Sequence, residues 1–100
     1  MSEETYPKGT MQALFDDDPS TWTQGAYARD KGNAQVGSEN PRATSWCLMG
    51  ALHKCYLNNP PECNRVYERM KNRVGKDITA WNDYKATFEE VKALVKELNI

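Results

Sequence analysis

Residues 40–57, NPRATSWCLMGALHKCYL, constrain the fold of this chain more than any other stretch. From Trp46 onward the run carries Trp46, Cys47, Leu48, Met49, Ala51, Leu52, Cys55, Tyr56 and Leu57, with only His53 and Lys54 clearly polar. A helix that is apolar nearly all round has no face to offer water, so the pattern predicts a central helix enclosed by the rest of the domain. Asn40 and Pro41 suit the N-cap and the first helical position, where a missing N–H costs nothing. Gly50 and Ala51 leave a shallow place on that helix where another backbone can pack closely.

The rest of the chain must supply the cover. One hundred residues fit a single domain, 1–100, able to bury a modest core, with residues 1–5 expected to be disordered. Hydrophobic residues make up 39% and charged residues 27%, as in an ordinary globular domain. A net charge of −1 gives no broad electrostatic pull toward nucleic acid or an anionic membrane. No apolar run reaches the length of a membrane span, and MSEETYPKG lacks a basic-then-apolar leader pattern. The expected setting is cytoplasmic. Cys47, Cys55 and Cys63 agree with it: they are odd in number and two fall in the apolar run, which suits buried free thiols.

Taken in order, residues 6–15 predict a short helix with Met11, Leu14 and Phe15 at helical spacing. Asp16, Asp17, Asp18 and Pro19 end it, and the acidic triplet reads as a solvated loop. Residues 21–29, TWTQGAYAR, alternate with period two and predict a strand anchored by Trp22 and Tyr27. Residues 30–33 form a turn with Gly32 in the left-handed position, and residues 34–36 return as a short partner strand.

Beyond the central helix, Asn59 as N-cap, Pro60 and Glu62 start a helix whose inner face carries Val66, Tyr67, Met70 and Val74. Gly75 closes it. Its basic side, Arg65, Arg69, Arg73 and Lys76, is the candidate nucleic-acid surface; lacking interleaved aromatics, it reads as a solvated face. Residues 77–83 predict one helical turn or tight loop with Ile78 and Trp81 dipping inward. Thr87 and Glu90 form a capping box that opens a last helix with Phe88, Val91, Leu94, Val95 and Leu98 on one face. The predicted architecture is α+β and helix-dominated: a β-hairpin packed against a buried central helix, with two further helices around it.

The stretches WTQGAYARD (22–30), WCLMGAL (46–52) and ITAWND (78–83) resemble a small family of bacterial and phage proteins of unknown function. The likeness spans almost the whole chain in the same order. It implies no activity or cofactor, but it marks Trp22, Gln24, Arg29, Trp46, Cys47, Trp81, Asn82 and Asp83 as a shared constellation. Among these, with Asp30, lie the ligand or partner candidates: Trp22, Gln24, Arg29, Asp30, Trp81, Asn82 and Asp83.

No catalytic set is recognisable. With the helix counted from Asn40, Cys47 lies about two turns in, too deep for help from the dipole. His53, six residues on, points away from it, so no Cys–His dyad is expected. The cysteines recur at intervals of eight rather than in the close pairs of zinc sites, and no metal or cofactor is expected. Arg29 is expected to reach Asp30 or Asp83, and Gln24 and Asn82 to satisfy backbone groups where irregular segments meet. Three functions follow. The first is binding to an unknown protein partner, in the form a phage-encoded modulator of a host system would take. The second is an enzyme or small-ligand binder using Gln24, Arg29, Asn82 and Asp83. The third, least favoured, is nucleic-acid binding through the 65–76 face.

Overall fold

The computed structural model describes residues 10–100. The disordered start expected at 1–5, and the part of the first helix expected at 6–9, lie outside the described residues. Thr10 opens helix α1 (Met11–Phe15) by accepting the Ala13 N–H on its hydroxyl at 3.2 Å. Asp16 and Asp17 then turn the chain through left-handed conformations, with φ of 43° and 59°. Asp18 caps a 3₁₀ turn (Pro19–Thr21) by accepting from the Ser20 N–H and hydroxyl.

Three short strands follow: β1 (Ala28–Asp30), β2 (Gln35–Val36) and β3 (Ala43–Trp46). They form an antiparallel sheet in the order β2-β1-β3, with β1 in the middle. The hairpin partner strand lies where the alternation placed it, but most of the predicted first strand, residues 21–27, is irregular. Its backbone groups are satisfied in part by an isolated bridge, with the Thr23 N–H on the Trp46 carbonyl, and in part by side chains from a distant helix. The left-handed turn residue is Asn33, φ 71°, and not Gly32; asparagine tolerates that region better than most side chains.

Strand β3 replaces what the apolar run predicted as the first turns of the central helix. Asn40 accepts the Arg42 N–H on Oδ1 at 2.8 Å, which makes Asn40-Pro41 an Asx turn instead of a helix cap. The same chemistry serves either end, because both motifs present a side-chain oxygen to an N–H two residues on. Thr44 sits at an irregularity in the pairing, where β1 advances one residue against two on β3.

Helix α2 (Leu48–Tyr56) therefore begins after Cys47. It buries Leu48, Ala51 and Leu52 completely, yet Lys54 and Leu57 are exposed and Met49, His53, Cys55 and Tyr56 only half-buried. The helix is central to the packing but is not enclosed on all sides. The shallow place at Gly50 is filled as its composition implied: the backbone carbonyl of Tyr27 lies against it and accepts the Cys47 N–H at 3.1 Å.

Helix α3 (Pro60–Val74) starts at Pro60 after Asn59, but Asn59 makes no side-chain cap, and Glu62 pairs with Arg65 instead of reaching back. Gly75 ends it at φ 80°. Residues 78–84 form a true helix, α4 (Ile78–Tyr84), capped by Asp77 through the Ala80 N–H. Helix α5 (Phe88–Leu98) carries both halves of the Thr87–Glu90 capping box. Its end is tied to α1 by the Gln12 N–H on the Ile100 carbonyl and by the Gln12 amide on Asn99. The core gathers Met11, Phe15, Leu48, Leu52, Val66, Met70, Ile78, Val91 and Val95 from all five helices, with Ala28 from β1. The fold is α+β and helix-dominated. No helix among the described residues is long and apolar enough to cross a membrane.

Candidate functional site

Helix α4 presents three different faces, and they organise what the irregular 22–27 segment can do. Ile78 and Asn82 point inward and are 1% and 0% exposed. A buried amide is costly unless every donor and acceptor is used. Asn82 uses them all: Oδ1 accepts from the Trp22 indole Nε1 at 2.7 Å and from the Leu48 N–H at 3.1 Å. Its Nδ2 donates to the Thr23 carbonyl at 3.2 Å and to Asp83 Oδ1 at 2.9 Å. Gln24 adds a bond from Nε2 to the Asn82 carbonyl at 2.9 Å. The first turn of α2, the 22–25 segment and α4 are thus held by one side chain.

Thr79 and Asp83, one turn apart on the second face, open into a hollow of about 250 Å³ with Gly25, Ala26, Tyr27, Gln35 and Cys47. Each of the three stretches 22–30, 46–52 and 78–83 contributes to this lining. Asp83 Oδ1 accepts from the Gly25 N–H at 3.0 Å as well as from Asn82. Among the described residues no cation pairs with its carboxylate, and Oδ2 accepts no hydrogen bond. The Tyr27 ring is 54% exposed and tilts against the His53 ring, with centroids 5.9 Å apart.

Cys47 is the N-cap of α2, not a residue two turns inside a helix. Its Sγ accepts the Gly50 N–H at 3.3 Å, while burial pushes the thiol pKa up; that effect outweighs the bonds from Gly50 and Met49, and the Asp83 charge adds to it. The thiol is therefore protonated at neutral pH, and the charge acting on it is acidic, the reverse of what activates a cysteine nucleophile.

The other candidates fall elsewhere. Arg29 reaches neither Asp30 nor Asp83; it donates to Thr23 Oγ1, to the Asn33 carbonyl and to the Gln24 carbonyl at 3.0, 3.2 and 3.2 Å. Asp30 turns its Oδ1 into the hairpin turn, accepting from Gly32 and Ala34. Trp22 is half-buried against Phe88, at 6.3 Å. Trp81, on the third face of α4, lines a separate cavity of about 300 Å³ with Arg73, Glu90 and Leu94. On α3, Arg65 pairs with Glu62, Arg69 donates to the Leu98 carbonyl at 2.7 Å and Arg73 forks onto Glu97 at 2.6 and 3.1 Å. Lys76 borders a shallow groove with Lys71 and Asp77. No three His, Cys, Asp or Glu side chains among the described residues gather as a metal site would require.

Of the hollow's lining, only Asp83 was a candidate in the sequence. Tyr27 was expected as a buried anchor, but its carbonyl does the anchoring and leaves the ring outside. Thr79 and Gln35 carried no signal, since ordinary polar residues acquire meaning only from their neighbours.

A model of a family of unknown function, DUF6197, matches residues 18–98, a span that holds the Asn82 junction and the whole hollow lining. The chain belongs to that family. No curated protein and no solved structure matches it. DUF6197 brings no activity with it, so function must be argued from the hollow itself.

Proposed function

We propose that this DUF6197 chain acts by binding rather than by chemistry, with the hollow between the 25–27 segment, β2 and α4 receiving a side chain of a protein partner. The observation that carries this reading is the exposed Tyr27 ring at the edge of a 250 Å³ recess. An aromatic beside a recess is the form in which interface hot spots occur, because it contributes large contact area at low entropy cost. The recess is smaller than the roughly 300–1,000 Å³ of sites for drug-sized ligands, which favours a single inserted group. The protonated Cys47 thiol supports binding over nucleophilic catalysis.

A phage-encoded modulator of a host system is the specific form suggested by the resemblance to bacterial and phage proteins. Free Cys47, Cys55 and Cys63 support a cytoplasmic setting. A small-ligand binder is the second reading, and the same recess favours it; yet Gln24, Arg29 and Asn82 are spent on internal hydrogen bonds and leave Asp83 alone to serve. Nucleic-acid binding has least support, because three of the four basic side chains on α3 are already engaged.

Affinity capture with the wild-type chain and with Tyr27→Ala tests the reading. A partner retained by the wild type and lost with the variant is the expected result. A partner retained equally by both contradicts it, as does repeated failure of the wild type to retain any.

A further inference from the structure

Among the described residues, the lining of the hollow carries one formal charge, Asp83, and no cation. Arg29 stands close by, with Nη2 3.5 Å from where a Cβ on Gly25 would stand, but that guanidinium is turned onto the Gln24 and Asn33 carbonyls. The larger cavity beside Trp81 differs in already holding a cation: Arg73 lines it, paired with Glu97, alongside Glu90. A carboxylate in a recess, with one oxygen held and the other unclaimed, has a definite preference for what enters. Oδ1 is occupied by the Gly25 and Asn82 N–H groups, so a planar guanidinium fork finds one acceptor instead of two. An ammonium loses nothing by this, being a point charge with three donors. The Thr79 hydroxyl and the Gln35 amide, which make no hydrogen bond among the described residues, supply further acceptors on the same lining. Tyr27 lines the same hollow and is 54% exposed, which puts an aromatic side chain beside the entering cation and its alkyl stem.

We propose that the hollow is a site for an alkylammonium group, the end of a partner's lysine or a small primary amine, with Asp83 Oδ2 as its counter-charge. This rests on the binding role proposed above and names the group that role recognises. Charge and shape divide the work: Asp83 selects the cation, while Gly25, Ala26 and Tyr27 accommodate the stem.

The test is a titration of the ¹⁵N-labelled full chain, following backbone amide shifts, with n-butylammonium and with n-butanol as its neutral counterpart. Shifts at Gly25, Tyr27, Cys47 and Asp83 that appear at a roughly tenfold lower concentration of the ammonium than of the alcohol are expected. Asp83→Asn keeps an oxygen for the Gly25 and Asn82 donors and should abolish this preference. Thr79→Lys, at an exposed helix position on the lining, removes one acceptor and places a tethered ammonium at the recess; it should exclude n-butylammonium even if Asp83→Asn fails to fold. Equal responses to ammonium and alcohol, no response to either, an ammonium preference that survives in folded Asp83→Asn, or an ammonium response that survives Thr79→Lys would overturn the proposal. A blocked Gly-Lys-Gly peptide separates the sources: tighter binding than n-butylammonium assigns the site to a protein lysine, and equal or weaker binding to a small amine. If a protein is captured in a Tyr27-dependent way while the ammonium fails, the binding role stands and the cation site falls. If the ammonium binds and no protein is captured, the cation site stands without the protein partner.

Discussion

Trp22 and Asn82 lie 60 residues apart in the chain and 2.7 Å apart in the fold, indole Nε1 to amide Oδ1. The same oxygen accepts the first N–H of α2, and the amide nitrogen donates to the Thr23 carbonyl. Only a side chain with donors and an acceptor on one planar group serves all of these partners at once. A carboxylate cannot donate, and an apolar residue of similar size satisfies none of them. The irregular backbone after Trp22 is therefore held by one side chain of α4 together with a single bridge to Trp46, and the hollow lies beside it.

Gly50→Ala should destabilise the protein by about 1–3 kcal/mol, although alanine is the better helix former by about 1 kcal/mol. An added Cβ would run into the Tyr27 carbonyl carbon and oxygen, which are backbone atoms fixed by the adjoining strand. Urea unfolding measures this directly. A variant as stable as the wild type, or more so, would mean that β1 and α2 do not meet at Gly50.

Leu52→Ala should cost about 2–5 kcal/mol, since Leu52 is 1% exposed and packed within the core. By contrast Leu57→Ala, at a position 47% exposed, should change stability by no more than about 0.5 kcal/mol. Paired thermal melts would distinguish the two, and similar shifts for both would contradict the half-buried placement of α2.

Alkaline pH should weaken the fold through its thiols. Burial pushes Cys55 from the ordinary 9.0 up to about 12, and it raises Cys47, Cys63 and Tyr56 as well. These groups are held neutral in the folded state. The stability linked to them is fully present below pH 9 and declines as pH rises toward 12, because the unfolded thiols ionise first. Melting temperatures followed upward from pH 9 should fall, and fall less steeply in Cys55→Ala. A flat profile, or one unaffected by the substitution, would contradict the burial of Cys55.

Local signals in the sequence were legible where the physics is local. Thr87 and Glu90 satisfy each other within one turn, and Gly75 ends its helix in the left-handed region, so neighbours alone specify both. Asn40-Pro41 was ambiguous because an Asx turn and a helix cap use the same oxygen, and tertiary pairing of β3 with β1 decides between them. That choice also relocated Cys47 from helix interior to helix cap. The non-strand path of residues 22–27 was illegible, since its hydrogen-bond partners include Asn82 and Asp83 from the far end of the chain as well as the Trp46 carbonyl and the Cys47 N–H. Tyr27, Thr79, Gln35 and Cys47 become a site only when those partners bring them together.

Urea unfolding of Asn82→Ala tests whether one buried amide joins the 22–25 segment, the start of α2 and α4. Removing that amide leaves the Trp22 indole, the Leu48 N–H and the Thr23 carbonyl without their partner, and a loss of about 3–5 kcal/mol is predicted. A loss below about 0.5 kcal/mol, the range of an ordinary surface substitution, would show that Asn82 does not hold the three segments together.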